Sequence, residues 1–431
     1  MNEFVILMLI FTVMIIVKIP IAYALGLSSL AVIFMMGIPL TTAINAMYNS
    51  VHNFPLLAIP LFMLLALLME KGGITTRLFG MSDAFVGHIR GGLGHVNVFV
   101  SLLFGHLSGS AQADVAGIGS VIIPTMKKAG YPIGFTVAIT ATSSTLGVIL
   151  PPSVLMVVYG AMSGVSIGAL FVAGIVPGFL IAFIQMAYVY YMATKHKWPK
   201  GERHTWKQRG DSVKNALPVV LLPIIIVGGT SSGMFTATES AAIGCLYALV
   251  LMFIVYRSCS IKDIPQVMVS TARTFSLTMF AVASAGMMGW LIAFLNLPRI
   301  FADFILGITD TYLGVYLLLV LFLLFVGAFL GGITIIIIFM PIIAELGAII
   351  DANGIHLGMI VILTISIGIV TPPYGSCLMI ASQIGGIPMN SAFMSVLPIC
   401  ILIIALIIVF IIFPEIILFL PRILVPAAFP S

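Results

Sequence analysis

Charged residues are scarce in this sequence of 431 residues. Lysine and arginine together number 18, aspartate and glutamate number 13, and charged residues make up only 7% of the chain, whereas 61% is apolar. Soluble globular domains carry about a quarter charged residues, so this chain cannot cover a water-facing surface. Since a helix needs about 20 apolar residues to cross a bilayer, the length allows about ten to thirteen crossings. The composition therefore predicts an all-α, polytopic protein embedded in a lipid bilayer.

Motifs for catalysis, metal binding and nucleotide binding are also missing. The four cysteines have no paired spacing, and the seven histidines never form a His-Glu-x-x-His pair. No Gly-x-x-x-x-Gly-Lys-Ser/Thr loop is present, and the basic residues form no patch for nucleic acid. One Gly-x-Ser-x-Gly pattern centres on Ser166, but no strand precedes it, as a nucleophile elbow requires. We therefore predict that the protein is not an enzyme and that no nucleic acid is a partner.

One hydrophilic segment interrupts the long apolar runs of the chain. It extends from Lys195 to Lys214, almost at mid-chain, and holds seven of the 18 basic residues. Basic residues near the ends of spans are retained on the cytoplasmic side, so this linker is predicted to be cytoplasmic. The pattern therefore predicts a multi-pass membrane protein whose two halves are joined on the cytoplasmic side.

A motif from the first half of the chain recurs in the second half. The segment Gly147–Pro152 (GVILPP) reappears as Gly368–Pro373 (GIVTPP), 221 positions later. Further anchors follow at this offset or with one residue of slippage: Gly164 with Gly385, Pro177 with Pro398, Gly105 with Gly327, Gly109 with Gly331, and Arg77 with Arg299. We interpret the register as an internal duplication. The predicted organisation is a first repeat over 1–194, a cytoplasmic linker over 195–214 and a second repeat over 215–431.

The charges around the two repeats differ in sign. Lys127 and Lys128 follow the Gly-rich segment of the first half, whereas Asp351 stands at the equivalent place in the second half. Because positive residues mark the cytoplasmic side, the two repeats are expected to have opposite orientations. Inverted-topology repeats are typical of secondary transporters.

Each repeat is predicted to contain a re-entrant hairpin and a broken helix. The segment Gly105–Asp114 is too polar to face lipid and is tolerated at membrane depth only if it is buried in protein or lines a cavity. Each Pro-Pro pair removes backbone donors, so the helix must unwind there and free carbonyl groups for a cation. The predicted hairpins cover about 105–126 and 327–345, and the predicted broken helices cover about 133–165 and 355–385.

Simpler interpretations of these motifs stay open. The Gly-rich segments could be ordinary spans with small residues for close packing, and the Pro-Pro pairs could be plain kinks. The hydroxyl groups around Ser143–Thr145 and at Thr364 and Ser366 could bind ligands or bond back to the preceding helical turn. Glu239, near the start of an apolar run, fits a capping box with Thr236. If protons were coupled to transport, the titrating carboxylates would be Asp114 and Glu239.

Three strings of residues together resemble a known family. They are Ser108-Gly109-Ser110-Ala111-x-Ala113-Asp114, the doubled Gly-x-x-x-Pro-Pro break, and Gly233-x-x-Thr236-x-Thr238-Glu239-x-Ala241. The combination resembles the large membrane subunit of tripartite ATP-independent periplasmic (TRAP) transporters over essentially the whole chain. Ala237 departs from the family pattern, which commonly has proline at that position.

The resemblance implies an elevator-type sodium symporter that imports an organic anion, such as a C4-dicarboxylate or sialic acid. It also implies two partners: a small membrane subunit and a soluble periplasmic protein that delivers the carboxylate solute. No cofactor is implied, only sodium as the coupling ion. The alternatives are a stand-alone sodium–dicarboxylate symporter that needs no binding protein, an ion channel, and an intramembrane hydrolase built on Ser166.

The resemblance and the repeat register also imply site residues. The residues of the first implied sodium site are Gly105, Ser108, Gly147, Leu150 and Pro152. Those of the second are Gly327, Gly331 (or its neighbour Leu330), Gly368, Thr371 and Tyr374. The implied substrate-binding residues are Ser110, Asp114, Ser153, Thr334 and Tyr374.

Overall fold

The structure, a computed structural model, is built from α-helices. It describes residues 3–198 and 200–429, with the side chain of Ser108 left out. Within these residues the one strand-like contact is an isolated bridge between Arg90 and Lys200. The helices of the first half are α1 (Glu3–Ile16), α2 (Ile21–Met35), α3 (Leu40–Val51), α4 (Ala58–Lys71), α5 (Ile74–Val86), α6 (Gly92–Ser108), α7 (Ala111–Lys128), α8 (Ile133–Ser143), α9 (Leu146–Ile149), α10 (Val154–Ser163) and α11 (Ile167–Lys195).

The second half repeats the order of hairpin and broken helix. Its helices are α12 (Trp206–Ser231), α13 (Ala237–Val250), α14 (Ile264–Phe294), α15 (Leu297–Leu306), α16 (Tyr312–Gly327), α17 (Gly332–Ile349), α18 (Gly354–Gly368), α19 (Ser376–Gly385), α20 (Met389–Ile412) and α21 (Glu415–Leu424). Short 3₁₀ turns lie at Phe54–Leu57, Ile261–Asp263 and Pro426–Ala428, and a π-turn at Leu251–Val255 extends α13.

Helix length and hydropathy agree with a polytopic membrane protein. In the described part of the chain, seven helices are long and apolar enough to cross a membrane, and the bent pair 133–163 would make an eighth. Several shorter apolar helices, such as α1, α2 and α16, accompany them. The composition therefore predicts the class correctly. Its figure of ten to thirteen crossings exceeds the full-length helices because many apolar runs form these shorter helices.

The helices pack in two groups that meet at α14. This helix packs against α2, α3 and α4, and α13 packs against α4. The hairpins and broken helices form the other group, in which α6 packs on α7 and α9, and α16 packs on α18. Contacts of α14 with α17, and of α4 with α6 and α10, join the two groups. The hairpins are therefore held against a wall made by α4 and α14.

The first hairpin has longer arms than its sequence predicts. Its arms are α6 and α7, which pack together and meet at Gly109, whose φ of 59° favours glycine. The expected bounds of 105–126 start within the last turn of α6, because polarity marks only the tip. The arm before the tip is apolar and largely buried, so it has the composition of an ordinary span.

The second hairpin shows the same difference. Its arms are α16 and α17, joined at residues 328–331, whereas the expected bounds were 327–345. The first arm, Tyr312–Gly327, has the composition of an ordinary span, so the sequence alone does not mark it as part of a hairpin.

Both Pro-Pro pairs interrupt a helix. The first break separates α9 from α10 with a bend of 42°, and the second separates α18 from α19. Both Pro-Pro peptide bonds, Pro151–Pro152 and Pro372–Pro373, are cis. The broken helices cover 133–163 and 354–385, within two residues of the expected bounds.

The basic linker is shorter than predicted and lies on α5. Helix α12 begins at Trp206, where Thr205 and Gln208 form a capping box, so only residues 196–205 connect the helices. His204 Nε2 lies 3.0 Å from Asp83 Oδ2, and Arg209 Nε donates to the Ala84 carbonyl at 3.1 Å. These contacts fasten the connection between the two halves to the end of α5.

Candidate solute-binding cavity

A cavity of about 490 Å³ lies between the two hairpin tips and the wall made by α4 and α14. The first tip contributes residues between Gly109 and Ala113, and the second contributes Gly331–Thr334. Residues at both helix breaks, Val148, Val154 and Ile369, lie beside the tips. The cavity is therefore built from the features that recur in the two halves, closed on one side by the α4–α14 wall.

Three helices begin at this cavity. They are α7, α10 and α17, and residues of their first turns line it. Ser110 Oγ accepts the Ala113 N–H at 3.4 Å, and Ser153 Oγ accepts the Met156 N–H at 3.4 Å. Helix α17 begins after Gly331, which provides no side-chain cap. Because helix N-termini carry partial positive charge and unpaired N–H groups, the tip side of the cavity suits an anion.

The polar side chains of the cavity are uncharged, with one exception. Hydroxyl and amide groups are contributed by Ser110, Gln112, Thr274, Thr278 and Thr334. Glu70 on α4 is the exception. Among the described residues that line the cavity, none is lysine, arginine or histidine.

Some of the residues that the resemblance implies for substrate binding line the cavity, and others do not. Ser110 and Thr334 line the cavity, one on each tip. Ser153 is fully buried, and its hydroxyl donates to the Val148 carbonyl at 2.6 Å. Tyr374 is 41% exposed, outside the cavity lining, and its N–H donates to the Ala328 carbonyl at 2.8 Å.

Asp114 faces the first broken helix from α7. It is fully buried, and a Cβ built on Gly147 would lie 2.5 Å from its Oδ2 atom. It is not among the residues that line the cavity. The carboxylate therefore belongs to the contact between hairpin and broken helix.

The residues of the first implied sodium site meet at that same contact. A Cβ on Gly105 would lie 3.0 Å from both the Cα and the N atom of Gly147, so the two backbones touch. Beyond the break, a Cβ on Gly109 would lie 2.8 Å from the Pro152 carbonyl oxygen. Leu150 is buried directly at the break. The side chain of Ser108 lies outside the described residues.

A histidine joins the first tip to the break. His106 Nδ1 lies 2.8 Å from the Pro151 carbonyl oxygen. Since a carbonyl can only accept, Nδ1 carries the proton. The Val154 N–H donates to the Gly109 carbonyl at 3.4 Å, which adds a backbone contact between tip and break.

The residues of the second implied sodium site have the same arrangement. A Cβ on Gly327 would lie 3.0 Å from the Cα of Gly368. Thr371 Oγ1 donates to the Ile367 carbonyl at 2.8 Å, so its oxygen keeps lone pairs for a cation. Gly331 lines the cavity at the neighbouring tip. In both halves, a glycine of the hairpin and a glycine of the broken helix bring the two backbones together beside a helix break.

Several of the hydroxyl groups near the breaks bond back to the preceding helical turn. Ser144, Thr145, Thr364 and Ser366 all donate to carbonyls three or four residues earlier. Glu239 accepts the Thr236 N–H at 2.8 Å and completes the capping box. Back-bonding therefore occupies the hydroxyl protons of these four residues, and helix capping occupies the carboxylate of Glu239.

Sequence reasoning missed Gln112 and Glu70. The amide of Gln112 donates to Ser376 Oγ at 3.1 Å, so it joins the first tip to the start of α19. No local pattern signals a contact between residues 264 positions apart. Glu70 is marked only by being a carboxylate near the end of an apolar run, which also describes an ordinary interface residue.

The fold and cavity define a multi-pass helical membrane carrier with two hairpin tips at a central site. Residues 8–416 match the family described as "Tripartite ATP-independent periplasmic transporter, DctM component". The chain belongs to this family. It is an inner-membrane protein and not an enzyme, and Ser166 caps α11 by accepting the Ala169 N–H at 3.3 Å.

Individual relatives agree with this assignment, and a solved structure has a similar fold. The chain is 36% identical to a sialic acid TRAP transporter large permease protein, SiaM of Vibrio cholerae, over 94% of this chain and 95% of that protein. It is 35% identical to a C4-dicarboxylate TRAP transporter large permease protein, DctM of Pseudomonas aeruginosa, over 87% and 88%. The YdaH transporter of Alcanivorax borkumensis has a similar fold, with a TM-score of 0.60, 13% identity and 88% and 89% coverage.

Proposed function

We propose that the protein is the membrane carrier of a sodium-coupled transporter that imports an organic anion with a carboxylate group. The observation that carries this proposal is the convergence of the α7, α10 and α17 N-termini on one cavity. These N-termini attract a carboxylate without any basic side chain. The relatives named for sialic acid and for C4-dicarboxylates support an organic acid as the solute.

Sodium coupling is the second part of the proposal. Each hairpin touches its broken helix through a pair of glycines, Gly105 with Gly147 and Gly327 with Gly368. Backbone carbonyls freed by a broken helix are ligands for sodium inside membrane proteins. The cation would bind beside the tips, so its charge would also favour the anion in the cavity. Sodium is therefore transported together with the solute and is not a resident cofactor.

The moving part in this proposal is the group of hairpins and broken helices. Helices α4 and α14 pack with α2, α3 and α13 into a separate group, which would stay fixed. An elevator motion carries the tips, with the bound solute, along the wall of α4 and α14. Inverted orientation of the two halves would let the same two tips serve both sides of the membrane.

Two partners complete the proposed transporter: a small membrane subunit and a periplasmic protein that delivers the carboxylate solute. Exposed apolar side chains on the fixed group, such as Phe34 and Ile44, are available to lipid or to the small subunit. A stand-alone sodium–dicarboxylate symporter is the alternative. Uptake with and without the binding protein distinguishes the two.

Uptake into proteoliposomes that contain the carrier and its small subunit tests the proposal. With binding protein and labelled solute outside, we expect uptake that follows an inward sodium gradient and accelerates with an inside-negative potential. Uptake that persists unchanged in choline would overturn sodium coupling. Full uptake without binding protein would instead support the stand-alone symporter. Saturation by the organic anion excludes a channel.

A further inference from the structure

The central cavity continues into a second one along the same wall. The second cavity, of about 340 Å³, is lined by residues of α4 and α14 and shares Leu67 and Glu70 with the first. On α14 the lining passes from Thr278 and Thr274 to Ser270 and Gln266, four residues apart at each step. Residues at this spacing lie on one face of a helix, so the two cavities form a continuous groove.

The groove leads toward the side of the protein that carries the basic linker. Lys71 lines the second cavity, and its Nζ lies 3.7 Å from Asp263, at the start of α14. Nearby, the Tyr256 hydroxyl donates to the Asn215 carbonyl at 2.8 Å, in the first turns of α12 after the linker. Since the linker is predicted to be cytoplasmic, the Glu70 end of the groove would face the cytoplasm.

Glu70 is the charged group that such a solute meets first. It lines both cavities, and no basic side chain in the described chain lies within ion-pair distance of it. The neighbouring lysine, Lys71, pairs with Asp263 instead. The groove therefore has partial positive charge at the hairpin tips and a full negative charge on the opposite wall.

We infer that Glu70 is a specificity-determining residue that selects solutes with a single carboxylate and a neutral, hydroxyl-bearing remainder. This inference rests on the proposed function, because the one carboxylate would bind at the helix N-termini of the tips. The remainder would face Thr274 and Thr278, which offer hydroxyl groups beside Glu70. A second carboxylate would face Glu70, and Lys71, the basic side chain that lines the second cavity, is paired with Asp263.

The magnitude of this selection follows from the repulsion between two carboxylates. Two unit charges close together repel measurably even in hydrated surroundings, and more strongly in a partly dry groove. We expect the second carboxylate to weaken binding by about tenfold or more relative to the same solute without it. Replacing Glu70 by glutamine removes the repulsion and keeps the size of the side chain.

Thermal unfolding of the full chain in nanodiscs, in sodium buffer, measures this selection directly. The probes are pairs that differ only by a second carboxylate: butyrate and succinate, lactate and hydroxymalonate, gluconate and glucarate. Each acid is titrated against the wild type, Glu70→Gln and the control Glu202→Gln. Glu202 is an exposed carboxylate of the linker. Its replacement changes the net charge by the same amount as Glu70→Gln, but outside the groove.

The inference predicts that at least one monocarboxylate raises the unfolding temperature of the wild type, at concentrations about tenfold below those its dicarboxylate mate requires. In Glu70→Gln, the two acids of that pair raise the unfolding temperature at equal concentrations. Glu202→Gln keeps the tenfold difference of the wild type. Equal or tighter binding of the dicarboxylate to the wild type would overturn the selection but leave the anion site intact. Discrimination that persists unchanged in Glu70→Gln would overturn the role of Glu70. No stabilisation by any acid of the three pairs would contradict the proposed anion site and the selection with it.

Discussion

Gly105 and Gly147 touch backbone to backbone, since a Cβ on Gly105 would lie 3.0 Å from the Cα of Gly147. Gly327 and Gly368 meet in the same way in the second half, also at 3.0 Å. The contact joins a hairpin arm to a broken helix in each case. Only residues without a side chain allow helices to approach this closely, as at small-residue interfaces in membranes generally.

Alanine at Gly147 is expected to destabilise the protein. Its Cβ would lie 2.5 Å from Asp114 Oδ2, in a fully buried site, and overpacking of this kind costs about 1–3 kcal/mol. The measurement is thermal unfolding of the purified protein. Gly228→Ala is the matched control, because nothing lies within 4 Å of a Cβ at that helical position. An equal loss in both variants would contradict the close-contact explanation.

Replacing His106 tests the bond between the first tip and the break. His106→Ala removes the hydrogen bond to the Pro151 carbonyl, with an expected loss of about 1 kcal/mol in the free energy of unfolding and slower uptake. Asparagine places an amide N–H close to the position of Nδ1, whereas glutamine extends past it. We expect His106→Asn to retain more stability and uptake than His106→Gln. The reverse order would show that the hydrogen bond of Nδ1 does not account for the effect of His106 on stability and uptake.

Gln112 and Ser376 are expected to be energetically coupled. Their hydrogen bond, at 3.1 Å, joins the first tip to the helix that follows the second break. Stability measured for Gln112→Leu, Ser376→Ala and the double variant gives the coupling, which we expect to be about 0.5–3 kcal/mol. Additive effects would mean that the two residues act independently. Ser120→Ala serves as an uncoupled partner, since its hydroxyl bonds within its own helix.

The capping box at α13 gives a prediction that concerns stability alone. Glu239→Ala removes the acceptor for the Thr236 N–H and is expected to lower the unfolding temperature. Glu239→Gln keeps a capping-box side chain and should lose less. Chemical or thermal unfolding of both variants checks this order. Equal losses would indicate that the negative charge, rather than the hydrogen bond, stabilises the helix start.

The breaks lie at the two Pro-Pro pairs, as predicted from sequence, because proline acts on the helix that contains it. The first tip is marked by Gly109 and its polar neighbours, and the second tip was predicted from its repeat register with the first. The extents of the hairpin arms could not be predicted, because α6 and α16 have the composition of ordinary spans. Local signals therefore place interruptions better than they place boundaries.

The cavity lining was less accessible to sequence reasoning. Ser110 and Thr334, which the resemblance implies for substrate binding, line the cavity, one on each tip. Glu70 and Thr274 line the cavity through the packing of α4 on α14, which no short pattern records. Asp114 carries a carboxylate that could bind a ligand, but its side chain is fully buried and faces Gly147. Which polar residues share a site depends on contacts between distant helices.

The linker between the two halves is short and is held to α5 by hydrogen bonds. It comprises only residues 196–205, and it is pinned to the end of α5 by the pair of His204 with Asp83 and by the Gly201 N–H, which donates to the Gly87 carbonyl at 3.2 Å. Helix α5 in turn packs on both α6 and α12. If α11 moves relative to α12, either α5 moves as well or the bonds of His204 and Gly201 to the end of α5 break. The short connection therefore limits how far α11 can move relative to α12.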